Sequence, residues 1–314
     1  MNLWDEILNK VFFISLLSAA IRLGTPLLLA ALGEIFVEKS GMINVGIEGE
    51  MLTGALFGFM GAYYFQNLGI GLLISVISGC FMGLILAFFF VTLRSDQIVT
   101  GIALNIFSLG LTSFIHRLSF GTGLIPPMVN QMSNLGIPFL KDLSLVGAVL
   151  FNQNIVVYIG LMLVGLLWFV NCKTTLGLAL KASGEFPLAA ETMGVKVLRL
   201  RYGTVIFGGA MAGLAGGYLS LAQLSMFTEN MTAGRGFIAL ALVIFGRWEP
   251  VKVLWGALIF GGADALQMRL QGLGVKVPYQ FMLMMPYLLC ILVLLWMRGK
   301  TKAPSYLGVP YNRD

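Results

Sequence analysis

Histidine, cysteine and charge are all scarce in this chain, and each scarcity closes off a class of chemistry. One histidine, His116, in 314 residues leaves no credible Ser/His/Asp set, and three scattered cysteines show no zinc spacing. Cys80 and Cys290 fall inside apolar runs, where a thiol acts as a small hydrophobe, and Cys172 stands alone. Charged residues make up 11% of the chain and hydrophobic residues 58%. A soluble domain carries roughly 25% charged residues, so a soluble fold is excluded. No G-x-G-x-x-G follows a strand pattern. Gly299-Lys300-Thr301 imitates the end of a phosphate-binding loop, but the first glycine of that loop would have to stand at Leu294. No catalytic, cofactor-binding or metal-binding residues are expected, and no enzyme. The net charge of +6 is no nucleic-acid footprint either, because nine of the twenty cations, five and four, sit in one loop and in the tail.

What the chain does contain is long apolar runs. They cover about 11–33, 43–65, 69–93, 98–117, 154–171, 202–224, 253–271 and 279–297, and a membrane-crossing helix needs about 20 residues. The run at 236–246 is half that length. Alternation is absent, so the expected fold is all-α: one polytopic transmembrane helical bundle over 1–314, with about 9–10 spans and discontinuous or re-entrant helices. The start, MNLWDEILNK, carries two acids and no small-residue cleavage site, which predicts that the first span is its own insertion signal.

The longest polar interruption is the basic stretch 172–201. Lys173, Lys181, Lys196, Arg199 and Arg201 stand there against Glu185 and Glu191, which places it in the cytoplasm together with the basic tail 298–314. Counting back from the tail is consistent. Counting forward puts the N-terminus outside, unless an early segment is re-entrant or a short helix is hidden near 120–152. Gly209, Gly213 and Gly217 form a doubled G-x-x-x-G, and Gly54/Gly58 and Gly79/Gly83 form single copies, which predicts close helix packing. Two glycine-broken polar stretches, 38–50 and 227–236, each lead into an apolar helix. Such pairs point to a transport path built from discontinuous helices.

Residues in a position to line that path are Asn44, Glu48, Glu50, Asn105, Arg235 and Asp264. Each has a plainer alternative. Glu48 and Glu50 would sit at headgroup level if the helix began after them. Asn105 would bond across a helix pair, Arg235 would cap carbonyls at a helix junction, and Asp264 with Gln267 would bond a neighbouring helix. Arg22 either snorkels or pairs with Glu34 or Glu48. His116, beside Arg117 at a span end, reads as interfacial.

Four stretches, 33–58, 95–114, 182–202 and 231–250, together resemble one family: the inner-membrane permeases of ABC importers in the ribose/branched-chain-amino-acid superfamily, and within it the nucleoside-type branch. Gly41-Met42-Ile43-Asn44-Val45-Gly46 stands where sugar members carry a Gly-Ile-Asp-Leu-Ser type of sequence. Ala189, Ala190 and Gly194 follow the Ala-Ala-x-x-x-Gly core of the permease coupling loop, although the glutamate that often precedes it is Leu188 here. The resemblance implies a permease fold in the bacterial cell membrane and a coupling helix, about 186–193, in which Gly184, Glu185, Ala189, Ala190 and Gly194 meet an ATPase. It also implies four partners: a second homologous permease, a cytoplasmic ABC ATPase that holds ATP and Mg, an extracytoplasmic substrate-binding lipoprotein, and a small-molecule substrate. A nucleoside is the expected substrate and a simple sugar such as ribose the alternative. The rival class is a proton- or sodium-coupled secondary transporter using Glu48, Glu50 and Asp264 as relay carboxylates.

Overall fold

A backbone in hydrocarbon must satisfy its own polar groups, and the apolar runs do so as helices. The computed structural model describes residues 10–121, 123, 126–136, 146–272, 278–297 and 302–311. The helices are α1 (Lys10–Lys39), α2 (Ile47–Phe65), α3 (Leu68–Ala87), α4 (Gln97–Phe120), α5 (Val146–Leu150), α6 (Ile155–Lys173), α7 (Thr175–Glu185), α8 (Pro187–Thr192), α9 (Val197–Tyr218), α10 (Arg235–Phe245), α11 (Pro250–Gly272), α12 (Tyr279–Leu283) and α13 (Met285–Met297). π-helical turns Phe88–Thr92 and Leu219–Gln223 prolong α3 and α9. Two short antiparallel strands, β1 (Asn134–Gly136) and β2 (Asn152–Asn154), close the long loop before α6.

Five helical segments are long and apolar enough to cross a membrane: Phe12–Lys39, Leu68–Thr92, Gln97–Phe120, Ile155–Lys173 and Val197–Gln223. α2 packs against α3 and α9, and α11 lies along α1. Among the described residues two shorter apolar helices accompany the five long segments, Arg235–Phe245 and Gln280–Val293. α1 starts on the face opposite the basic loop. In the loop before α6 the one helix among the described residues is the single-turn α5, too short to cross, and 137–145 lie outside the described residues.

One helix boundary differs from the sequence pattern, and the plainer alternative for Glu48 and Glu50 is overturned, for the same reason. α1 runs six residues beyond its apolar run, through Glu34 and Glu38, and α2 starts at Ile47, before Glu48 and Glu50. All four acids are buried, and each finds a hydrogen-bond partner on another segment, so polarity does not mark a helix end here. Arg22 makes no ion pair with Glu34 or Glu48. Its carbonyl matters instead. Pro26 within α1 has no N–H to offer the residue four back, and the Arg22 oxygen accepts from Tyr218 Oη at 3.2 Å and Gln223 Nε2 at 2.9 Å on α9.

Glycine lets α9 lie directly against its neighbours. A Cβ built at Gly79 on α3 would sit 2.1 Å from the Gly209 carbonyl oxygen, and one at Gly54 on α2 would sit 2.3 Å from that of Gly213. Backbones this close gain dispersion contact where lipid supplies no hydrophobic drive between helices. Gly209→Val is therefore expected to destabilise the folded chain by about 1–3 kcal/mol or more through overpacking. Gly165→Ala, whose Cβ would meet nothing within 4 Å, should leave it unchanged or slightly firmer. Thermal unfolding of the two variants in detergent checks this, and equal melting temperatures would refute the close-packing account.

Candidate functional site

Two helices begin inside the bundle rather than at its surface, and neither caps itself. α2 starts after Gly46 and α10 after Gly234, both without a side-chain cap of their own. A helix start leaves backbone N–H groups without partners, and burying them unpaired is costly. For α10 the acceptor comes from α2. Glu48 Oε1 accepts from Gly234 N at 2.7 Å, and Oε2 accepts from Gly236 N at 2.6 Å. For α2 it comes from α4, where Asn105 Oδ1 accepts from Gly49 N at 2.8 Å and Asn105 Nδ2 donates to the Val45 carbonyl at 2.9 Å. Glycine is required at the contact. Gly234 has φ +82°, and a Cβ on Gly236 would lie 2.8 Å from Glu48 Cα.

The Glu48 carboxylate thus lies at the positive ends of two helix dipoles, a favourable place for an anion. Its depth follows from α4. Gln97 Oε1 accepts from Ile43 N at the first residue of that helix, and Asn105 stands eight residues later. At 1.5 Å per residue the break lies about 12 Å inside the bundle. The segment entering α2 is fastened on its other side as well. Glu34 Oε1 accepts from Asn44 N at 3.1 Å, and Asn44 Nδ2 donates to Glu50 Oε2 at 2.8 Å.

Of the residues proposed from sequence to line a path, Asn44, Glu48, Glu50 and Asn105 all hold this break together. Arg235 and Asp264 are placed differently. Arg235 Nη1 donates to the Met231 carbonyl at 3.2 Å, a capping bond at the helix junction. It also lies within electrostatic range of Asp264 on α11 and Tyr287 on α13. Asp264 is half-buried and forms no hydrogen bond with Gln267 or a neighbouring helix. Tyr287 Oη donates to the Ala233 carbonyl at 2.6 Å. These three side chains form the polar group at the break that remains partly open.

At the basic face α7 and α8 form a short helical pair. Thr174 caps α7 by accepting from Gly177 N, Pro187 opens α8 at its first turn, and Gly194 leaves it at φ +90°. Within the set assigned to the coupling helix, the structure separates inward from outward residues. Ala190 is 4% exposed and packs against Val197 and Tyr311 of the same chain. Gly184 is buried against Lys39, and Glu185 accepts from Ser305 Oγ at 2.7 Å. Ala189 and Gly194 are exposed. So are three large apolar side chains, of which the sequence reading notes only Leu188, as a departure from the glutamate pattern: Phe186 at 66%, Leu188 at 59% and Met193 at 85%. Arg201, counted with the loop cations, is buried inside α9, with Nε donating to the Ser40 carbonyl at 3.2 Å.

On the far face Arg117 donates to both carboxylate oxygens of Glu229, through Nε at 2.7 Å and Nη2 at 2.9 Å, which holds the Glu229 carboxyl below its usual value. The pair is exposed, so it positions the loop into α10 more than it stabilises the fold. The neighbouring His116 ring packs at a tilt against Phe120 and Phe227. Sequence reasoning also missed Gln97 and Glu38, and named Glu34 only as an alternative partner of Arg22. Their only signal was polarity inside or next to apolar runs, and Glu38 is explained by Trp248 Nε1, which donates to it at 2.6 Å from a residue 210 positions away.

Residues 16–294 match the family model described as the permease component of branched-chain amino acid transport systems. The chain is 38% identical to the "Putative glucose ABC transporter permease protein TsgC13" of Haloferax volcanii, a match covering 96% of this chain and 99% of that one. It is 37% identical to the guanosine ABC transporter permease protein NupQ of Bacillus subtilis, with 93% and 95% covered. It is 32% identical to the nucleoside ABC transporter permease protein NupC of Lactococcus lactis, with 92% and 94% covered. No solved structure matches the chain significantly.

Glu48→Gln keeps the shape of the side chain but turns one acceptor into an NH2 group facing a buried backbone N–H. It is expected to lower stability by about 1–3 kcal/mol. Asn105→Leu, which uncaps α2, should cost about 1 kcal/mol or more. Glu249→Gln, at an exposed pair with Lys252, should cost almost nothing. If melting temperatures rank Glu249→Gln with the other two, the break is not held as described.

Proposed function

Since the chain belongs to the family of permease components of branched-chain amino acid transport systems, we propose that it is the membrane-spanning subunit of an ATP-driven ABC importer for nucleosides. The observation that carries this reading is the exposed apolar surface of Phe186, Leu188 and Met193 on α7–α8. Large apolar side chains gathered on a polar, basic segment at a water-facing end mark a docking surface. We assign it to a cytoplasmic ABC ATPase, which holds ATP and Mg. The basic loop 172–201 and the tail are then cytoplasmic by the positive-inside rule. The substrate class rests on the guanosine- and nucleoside-named relatives. The Haloferax volcanii relative named for glucose favours a hexose as the second reading.

In this scheme the ATPase displaces α7–α8 as a unit, and transport follows from different stabilities of outward- and inward-open states. Arg235, Asp264 and Tyr287 provide polar groups at the path, shaped by the break that Asn44, Glu48, Glu50 and Asn105 hold. Glu48 has both oxygens engaged with backbone amides, which suits a fixed joint and not a proton relay. A second homologous permease covers the open side of α10, and an extracytoplasmic lipoprotein delivers substrate to the far face.

Leu188→Glu and Met193→Glu are expected to insert and melt normally yet lose ATPase co-purification and labelled guanosine uptake, since a charge buried unpaired in a contact costs several kcal/mol. Lys181→Glu should be tolerated. Ala190→Glu should instead lower the chain's own melting temperature. Uptake by the assembled complex should survive an uncoupler while ATP is maintained. Retained ATPase binding by both apolar-surface variants, or uptake lost to the uncoupler alone, would overturn the assignment. Competition by unlabelled nucleosides and by glucose decides between the two substrate readings.

A further inference from the structure

The chain's own tail, residues 302–311, is tied both to the coupling helix and to the turn that leads into the buried break. Tyr311 Oη donates to Glu191 on α8, and its ring completes the small cluster that buries Ala190. One residue pair back, the Val309 carbonyl accepts from Arg201 Nη1 at 3.1 Å, and the same guanidinium lies 5.8 Å from the Tyr311 ring centre. Gly308 N donates to the Gly41 carbonyl at 3.0 Å, and Tyr306 N donates to the Gly184 carbonyl at 2.9 Å. Ser305 Oγ donates to Glu185 at the end of α7. Gly41 itself is tight. Its φ is +90°, and a Cβ there would lie 2.9 Å from Arg201 Nη2, which finds no partner among the described residues.

From Gly41 the connections continue inward. Ser40 is held through its carbonyl by Ser183 Oγ and Arg201 Nε, Ile43 by Gln97, and Asn44 by Glu34 and Glu50. Four residues on, Glu48 binds the start of α10. A packed, hydrogen-bonded run therefore joins α8 to the mid-depth joint, and the tail is the part of it that touches α8 and the Ser40–Gly41 turn at once. Physical continuity carries coupling only if both ends bias one arrangement, so the link needs a direct test.

We propose that residues 302–311 are a strap that transmits displacement of α8 to the break between α1 and α2, with Tyr311 and Arg201 as its positioning residues. This rests on the permease reading above. The test uses the complete complex in proteoliposomes, with the unaltered chain, Tyr311→Phe, and a chain ending at Lys302. ATPase co-purification, ATP hydrolysis and nucleoside uptake are measured together. Tyr311→Phe keeps the ring against Ala190 and Arg201 and removes the hydroxyl that donates to Glu191. It is expected to keep the ATPase bound and hydrolysing, while uptake per ATP falls about tenfold, the equivalent of one hydrogen bond to a charged group. The shortened chain should fall further, and in the isolated subunit its amides at Ile43 and Asn44 should exchange faster. An unchanged uptake-to-ATP ratio in both variants would overturn the strap. So would loss of ATPase binding in Tyr311→Phe, because the tail would then be part of the docking surface. An unaltered chain that recruits no ATPase would overturn the permease reading, and this inference with it, before any variant is compared.

Discussion

One carboxylate joins the two halves of the break. Glu48 sits at the start of α2 and bonds two amides at the start of α10, so two helices that run toward opposite faces meet end to end inside the bundle. Without an acceptor from outside, the first turn of α10 would bury unpaired N–H groups in an apolar setting, at a cost of about 1–3 kcal/mol each. The short helix, its lead-in from the far face and the polar group around Arg235 all depend on that contact. The arrangement also limits what Glu48 can do. With both oxygens committed to backbone, it is a structural joint between α2 and α10.

The rest of the break is built in the same manner, by side chains completing another segment's backbone. Asn105 caps α2 from α4, Gln97 holds Ile43, Glu34 holds Asn44, and Tyr218 with Gln223 serves the carbonyl that Pro26 leaves free. Buried polar networks of this kind are costly when a member is lost, and among the described residues this one leaves Glu34 Oε2, Asn44 Oδ1 and Glu50 Oε1 without a partner. Around them the glycine seam between α3 and α9 brings backbones into contact. A closely packed frame thus surrounds a small polar centre.

The α7–α8 pair at the basic face has two unlike sides. Phe186, Leu188 and Met193 face outward, while Ala190, Gly184 and Glu185 face the chain itself. The small residues of the Ala-Ala-x-x-x-Gly pattern are therefore not interchangeable. Ala189 and Gly194 lie on the exposed side, and Ala190 is small because Val197 and Tyr311 press against it.

Composition and pattern alone determined that this is a polytopic helical membrane protein, that a basic amphipathic loop interrupts it, and that the stretches 38–50 and 227–236 break its helices. These follow from local rules: apolar length sets a span, positive charge sets a side, and glycine with polar residues interrupts a helix. Asn44, Glu48, Glu50, Asn105 and Arg235 could be picked out for the same reason, since polar groups inside apolar runs are conspicuous. What each of them bonds was decided only by tertiary structure. Glu48 meets Gly234 across 186 positions and Glu38 meets Trp248 across 210, and no periodicity within either segment encodes such a partner. The inward turn of Ala190 and the course of the tail were equally illegible, because a small residue and an ordinary polar tail read alike whether they face water or pack against their own chain.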